Sequence, residues 1–178
     1  MSSLGLVRGT VSLSEYQLEW KEAFAYAKAA IAAALGDMKC NIQHIGGTSI
    51  PGMVAKPILD IAVGLSSELE IDSSVALLLS LGYVDRGMFG RHGGVRLLQK
   101  LDASNSVIHH IHLMTIHNRN WNLCLRYRDM LCEHRALFEQ SVALKLSMAT
   151  RYPNDRVAYT ESKNDFVDYV HSLIIGAD

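Results

Sequence analysis

The chain has little that would make its class obvious, and each scarcity excludes something. It has three cysteines, Cys40, Cys124 and Cys132. The number is odd and the spacing fits no zinc motif, so reduced thiols in a cytoplasmic protein are expected. No apolar run approaches the ~20 residues of a membrane span. The N-terminus lacks a basic-then-apolar pattern, so neither a membrane partner nor export is expected. Charge of one sign is also lacking: Lys and Arg number 17 against 18 Asp and Glu, a net −1. That balance gives no bulk electrostatic case for DNA or RNA and leaves room only for a local basic patch. Internal repeats, low-complexity tracts and linkers are missing too. What is present is 178 residues, 49% of them apolar, enough for one domain spanning 1–178 with a sizeable core.

Periodicity then orders the chain. Tyr16, Trp20, Phe24, Ala27, Ile31 and Leu35 recur at helical spacing, with Gly36 as a C-terminal stop. Ser14 and Gln17 read as a capping box for this helix, and Leu13 with Leu18 as a hydrophobic staple. Strands are expected at Asn41 to Ile45, Ile58 to Leu65, Tyr83 to Phe89, Val95 to Leu101 and Val107 to Ile116. Helices are expected from Asp72 to Leu81, from Asn118 or Asn120 to about His134, up to Tyr152 before Pro153, and from about Asp155 to Ile175. Turns fall at Arg91-His92-Gly93-Gly94 and at Asp102 to Ser106. This order predicts an α+β fold: a mixed sheet over about residues 11–117, followed by a helical part over about 118–175.

The densest chemistry runs from His44 to Val63. A short apolar segment ends in Gly46-Gly47-Thr48-Ser49, and Lys56-Pro57 leads into an apolar strand that carries Asp60. Glycines let backbone N–H groups approach an anion, hydroxyls add donors, and a nearby carboxylate can hold a divalent cation. The layout therefore points to a phosphate or nucleotide site.

This segment resembles the signature of the nucleotidyltransferase superfamily and, within it, the GrpB family of small bacterial proteins. Further segments share that resemblance: Val11-Ser12-Leu13 with Tyr16 and Trp20, Ile111-His112-Leu113, Trp121 with Arg126-Tyr127-Arg128-Asp129, Lys145, Tyr152 with Asp155-Arg156, and Tyr159 with Lys163. The resemblance implies a nucleotidyltransferase-like mixed-sheet core with an N-terminal helix and a helical C-terminal half. It also implies Asp60 as the catalytic metal ligand. The superfamily's second carboxylate falls on Ala62, and the third position lies where His110 and His112 stand. Mg²⁺ or Mn²⁺ is the metal so implied. A set of Asp60, His110, His112 and His44 would favour ions that accept imidazole, Zn²⁺ among them.

Three helices each carry one cation on an otherwise apolar stripe: Arg128 with Trp121 and Leu131, Lys145 with Phe138 and Val142, and Lys163 with Tyr159 and Phe166. Inward cations are rare unless paired. Three that converge, with Lys56 beside them, would suit a polyanion. The expected function is binding of a nucleotide or other phosphorylated ligand at Gly46, Gly47, Thr48, Ser49, Lys56, Arg128, Lys145 and Lys163, and transfer of a nucleoside monophosphate if the site is catalytic. The alternatives are a non-catalytic binding or regulatory module and a His/Asp metal-dependent hydrolase.

Overall fold

The structure is a computed structural model that describes residues 4–89 and 93–176. Five strands form one mixed sheet: β1 (Asn41–Ile45), β2 (Leu59–Leu65), β3 (Tyr83–Phe89), β4 (Val95–Leu101) and β5 (Val107–Thr115). Their order is β1-β2-β5-β4-β3; β2 and β5 run parallel, and the other neighbours are antiparallel. The helices are α1 (Glu19–Leu35), α2 (Glu68–Ser80), α3 (Arg119–Glu133), α4 (Arg135–Arg151), α5 (Arg156–Glu161) and α6 (Asn164–Gly176). The expected α+β class is the observed one. Among the described residues no helix is long and apolar enough to cross a membrane.

Strand alternation gives the sheet two different faces. Leu59, Ile61, Val63 and Leu65 of β2 join Ile111, Leu113 and Leu98 on one face, buried under Trp20, Ile31 and Leu35 of α1 and Ile71, Val75 and Leu78 of α2. The opposite face carries Asp60 and Ala62 of β2, His110, His112 and Met114 of β5, and Val95, Leu97 and Gln99 of β4, which the strand register places side by side. Trp121 of α3 covers only one end of it, packing with Ile45, Ala62, Val95 and Met114. There Gly64 makes room for the indole, since a Cβ at that position would lie 2.8 Å from Trp121. A third cluster, built on Leu123, Leu131, Leu137, Val170 and Ile174, holds α3, α4 and α6 together.

Three expected boundaries are corrected. Ser14 is not a helix cap: its N–H and C=O both pair with Ala55, at 2.8 and 3.0 Å, so its backbone is extended and α1 begins only at Glu19. The residues before α1 form a strap, tied by Gly5 N–H to Pro57 O, by a Leu6–Val107 bridge and by Val11 N–H to Pro153 O. The last helix is two helices. Asp155 caps α5 through Ala158 N–H, and the helix is interrupted by a turn at Ser162 and Lys163 before α6. Helix α2 starts four residues earlier than expected, because Ser67 and Glu70 form a capping box. Of the turn expected at Arg91-His92-Gly93-Gly94, Arg91 and His92 lie outside the described residues.

Candidate functional site

The uncovered end of the second sheet face floors a cavity of about 890 Å³, roofed by α4, α5 and the start of α6. The β1–β2 connection forms its edge. Gly46 has φ +69°, and a Cβ there would lie 2.5 Å from Asp60 Oδ2. A Cβ on Gly47 would lie 2.8 Å from Lys145 Nζ and 2.9 Å from Ala55 Cβ. The two glycines thus let a carboxylate and an ammonium approach the backbone closely. The hydroxyls beside them are engaged within the protein. Ser49 Oγ donates to Gly46 O at 2.6 Å, and Thr48 Oγ1 donates to Ile58 O at 3.3 Å. Gly47 and Thr48 line the cavity, whereas Gly46 and Ser49 are not part of its lining.

Asp60, His110 and His112 meet as the parallel β2–β5 pairing requires: Asp60 stands opposite His110, and Ala62 opposite His112. Asp60 Oδ1 lies 3.2 Å from His110 Nδ1 and 3.3 Å from His112 Nε2. Burial works to raise the carboxyl, but hydrogen bonds from the two imidazoles prevail and hold it well below the usual carboxylate range. Asp60 is therefore an anion at any ordinary pH. His44, the fourth residue proposed for a metal, turns elsewhere. Its Nε2 pairs with Thr48 Oγ1 at 3.0 Å, its ring stacks on Phe24, and burial pushes its pKa down to about 4.

Ligand atoms of Asp60, His110 and His112 lie within 4.8 Å of one another. They do not fit Mg²⁺, which needs oxygen ligands in near-octahedral array. The cluster offers one carboxylate, and Ala62, where a second would stand, is 0% exposed beneath Trp121. Imidazole nitrogens suit Mn²⁺ or Zn²⁺. For those ions the fit depends on which nitrogen of His110 carries its proton.

Cations dominate the rest of the wall. Arg8, Lys56, Lys145, Arg156 and Lys163 line the cavity against Asp60 and Glu161. Lys145 Nζ donates to Val54 O at 3.1 Å, and Lys163 Nζ donates to Tyr159 O at 2.6 Å. Lys163 Nζ also sits 3.5 Å from the centre of the Tyr159 ring, and Lys56 Nζ 5.2 Å from it. Among the described residues none of the three lysines forms an ion pair. Burial lowers all three. Lys145 is pushed down to about 8, although Asp60 works the other way. Lys163 is pushed down to about 7, with Lys56 and Lys145 repelling it as well.

Arg128 is not part of this group. Its Nη1 donates to His44 O at 3.0 Å and its Nε to Asp129 at 2.7 Å, so it fastens α3 to β1. Arg156 ties the strap, donating to Thr10 O and Val7 O while lining the cavity. Sequence reasoning missed Arg8 and Gln99 as cavity residues. Arg8 sits in an irregular strap and carries no local signal. Gln99 could have been found, as it alternates with buried Leu98 on a strand expected beside the histidines.

The chain belongs to the GrpB family: the family model described as GrpB protein matches residues 10–172. It is 31% identical over 169 residues to the Glutamate-rich protein GrpB of Alkalihalophilus pseudofirmus, covering 94% of this chain and 97% of that protein. Its fold is similar to the crystal structure of conserved protein GrpB from Enterococcus faecalis, with a TM-score of 0.80 and 29% identity over 90% of this chain and 95% of that one. A cytoplasmic RNA terminal U-transferase is similar at a TM-score of 0.48 and 13% identity, over 76% of this chain and 38% of that one.

Proposed function

We propose that this GrpB-family protein binds a nucleotide or another phosphorylated small molecule in the cavity, with the phosphates toward Lys56, Lys145 and Lys163. The observation that carries this reading is three half-buried lysines facing one space without an ion-pair partner among the described residues. Buried ammonium groups are costly. Mutual repulsion adds to that cost, as the lowered proton affinity of Lys163 reflects. A polyanionic ligand would relieve both through charge-assisted hydrogen bonds. Phe89, Leu97, Val157 and Tyr159 add an apolar wall for the rest of the molecule.

Two forms of this reading exist: a transferase of nucleoside monophosphates and a binding module without chemistry. The burial of Ala62 under Trp121 favours the second, because two-metal transfer needs further carboxylates where apolar packing stands. A thermal-shift panel of nucleoside mono-, di- and triphosphates and coenzyme A, with and without Mg²⁺ or Mn²⁺, tests the reading. A ligand that binds only the folded chain raises the melting temperature with concentration. A rise with a phosphorylated compound that needs no metal supports the binding module, and a rise that needs one supports the transferase. No response across the panel would count against both.

A further inference from the structure

Gln99 determines what kind of centre Asp60 belongs to. The Gln99 carbonyl Oε1 accepts from Arg86 Nε at 2.9 Å, which directs the amide nitrogen to His110 Nε2 at 3.1 Å. A guanidinium only donates, and so does an amide NH₂. Turning the amide over would set two donors against each other at Arg86. His110 Nε2 must therefore accept and carry no proton. The neutral ring then has its one N–H on Nδ1, which donates to Asp60 Oδ1. His112 completes the arrangement, since a carboxylate anion only accepts and His112 Nε2 must donate to the same oxygen.

A metal bound through His110 Nδ1 requires the reverse. Nδ1 would turn a lone pair to the ion, and Nε2 would carry the proton and give it to an acceptor, as metal-bound histidines nearly always do. Gln99, pinned by Arg86, presents a donor at that place. Among the described residues Asp60 Oδ2 accepts no hydrogen bond, and the residue lines the cavity with a side chain 31% exposed.

We propose that Asp60 is a metal-free carboxylate acceptor whose Oδ2 receives a hydroxyl or amino group of the phosphorylated ligand, with Arg86 and Gln99 as the positioning residues that fix the His110 tautomer. The identity of the incoming donor rests on the phosphate reading of the cavity. The metal-free state and the tautomer do not.

The test is long-range ¹H–¹⁵N NMR of the intact protein with ¹⁵N-labelled histidine, the His110 signals being assigned with His110→Gln. The expected result is a protonated Nδ1 and a bare Nε2, unchanged by equimolar Zn²⁺ or Mn²⁺. An Nε2–H tautomer, or stoichiometric metal binding lost in Asp60→Asn, would overturn the proposal. Gln99→Glu places an acceptor at Nε2 and should raise Zn²⁺ affinity roughly tenfold or more; unchanged affinity counts against the relay. Arg86 is exposed, so Arg86→Met should fold. It should free the Gln99 amide to turn, and part of the His110 population should move to the Nε2–H form. A tautomer that stays wholly on Nδ1 in this variant would remove Arg86 from the argument. Loss of the tautomer with tripolyphosphate binding intact would overturn this inference and leave the cavity reading standing; the converse result would do the opposite.

Discussion

One face of the β2–β5 pair is polar at one end and apolar at the other, within two residues on β2 and four on β5. Asp60 and His110 open onto the cavity, while Ala62 and Met114 lie closed beneath Trp121. The same backbone ladder supports both ends, so the helices above make the difference. α3 brings an indole down where Gly64 leaves room for it. α4 and the α5–α6 junction instead bring Lys145 and Lys163 over the open end. The open end of the sheet face carries one carboxylate, Asp60, with the lysines of these helices above it.

The largest way to break this contrast is to put a carboxylate into the closed end. Ala62→Asp would bury a charge among Ile45, Val95, Met114 and Trp121, and should cost about 3 kcal/mol or more in chemical denaturation. If the protein keeps its stability and gains Mg²⁺ affinity, the closed end is not closed. Gly46→Ala is next, because it forces φ +69° on a residue with a Cβ and drives that Cβ against Asp60. It should cost about 1–3 kcal/mol in the same measurement and disturb the His110 signals.

At the open end, Lys145→Met and Lys163→Met should each weaken a bound nucleotide roughly tenfold, as the loss of a hydrogen bond to a charged group implies. Each loses a hydrogen bond to a backbone carbonyl but also removes a half-buried charge without an ion-pair partner, so the ligand-free protein should change by no more than about 1 kcal/mol. A marked fall in melting temperature with unchanged affinity would make these lysines structural. The smallest effect belongs to Arg128→Met. It should cost about 1 kcal/mol for the lost bond to His44 O and leave ligand affinity unchanged, which separates the fastening cation from those that face the cavity.

Titration sharpens the same contrast. The proton affinity of Lys145 and Lys163 is lowered in the folded state to about 8 and about 7, against an ordinary lysine in the unfolded chain. Above the unfolded pKa neither state binds the protons, and the lysines cost nothing. As pH falls from there toward 7, the unfolded chain takes up more protons than the folded one, so the ligand-free protein loses stability; below the folded values the loss is complete. Phosphate needs the ammonium form, so ligand affinity should fall as pH rises above about 7 to 8, with protons taken up on binding. Calorimetry in buffers of differing ionisation enthalpy reads that uptake directly.

Much of the fold is legible in local pattern. Asn41–Ile45, Tyr83–Phe89 and Val95–Leu101 coincide with the strands expected, because each is a short alternating run with turn residues beside it. The meeting of Asp60 with His110 and His112 also follows from strand pairing, through the resemblance to a known fold. What was not legible depends on distant partners. Ser14 has every local mark of a cap, yet its backbone is taken by Ala55, forty-one residues away. Lys163 reads as part of one continuous stripe, but the helix breaks beside it. Arg128 shares the 3–4 spacing of the inward lysines, and its long side chain instead finds a backbone carbonyl on β1. Spacing places a cation on a face and does not say what lies opposite.

Calorimetric titration of ATP and of inorganic tripolyphosphate at pH 7, with EDTA present, compares the wild type with the Lys145→Met/Lys163→Met double variant. The account predicts binding of at least one of these polyanions by the wild type without metal, weakened roughly a hundredfold in the double variant, whose melting temperature changes little. Equal affinity in both proteins, or binding that appears only when Mg²⁺ or Mn²⁺ is restored, would contradict it.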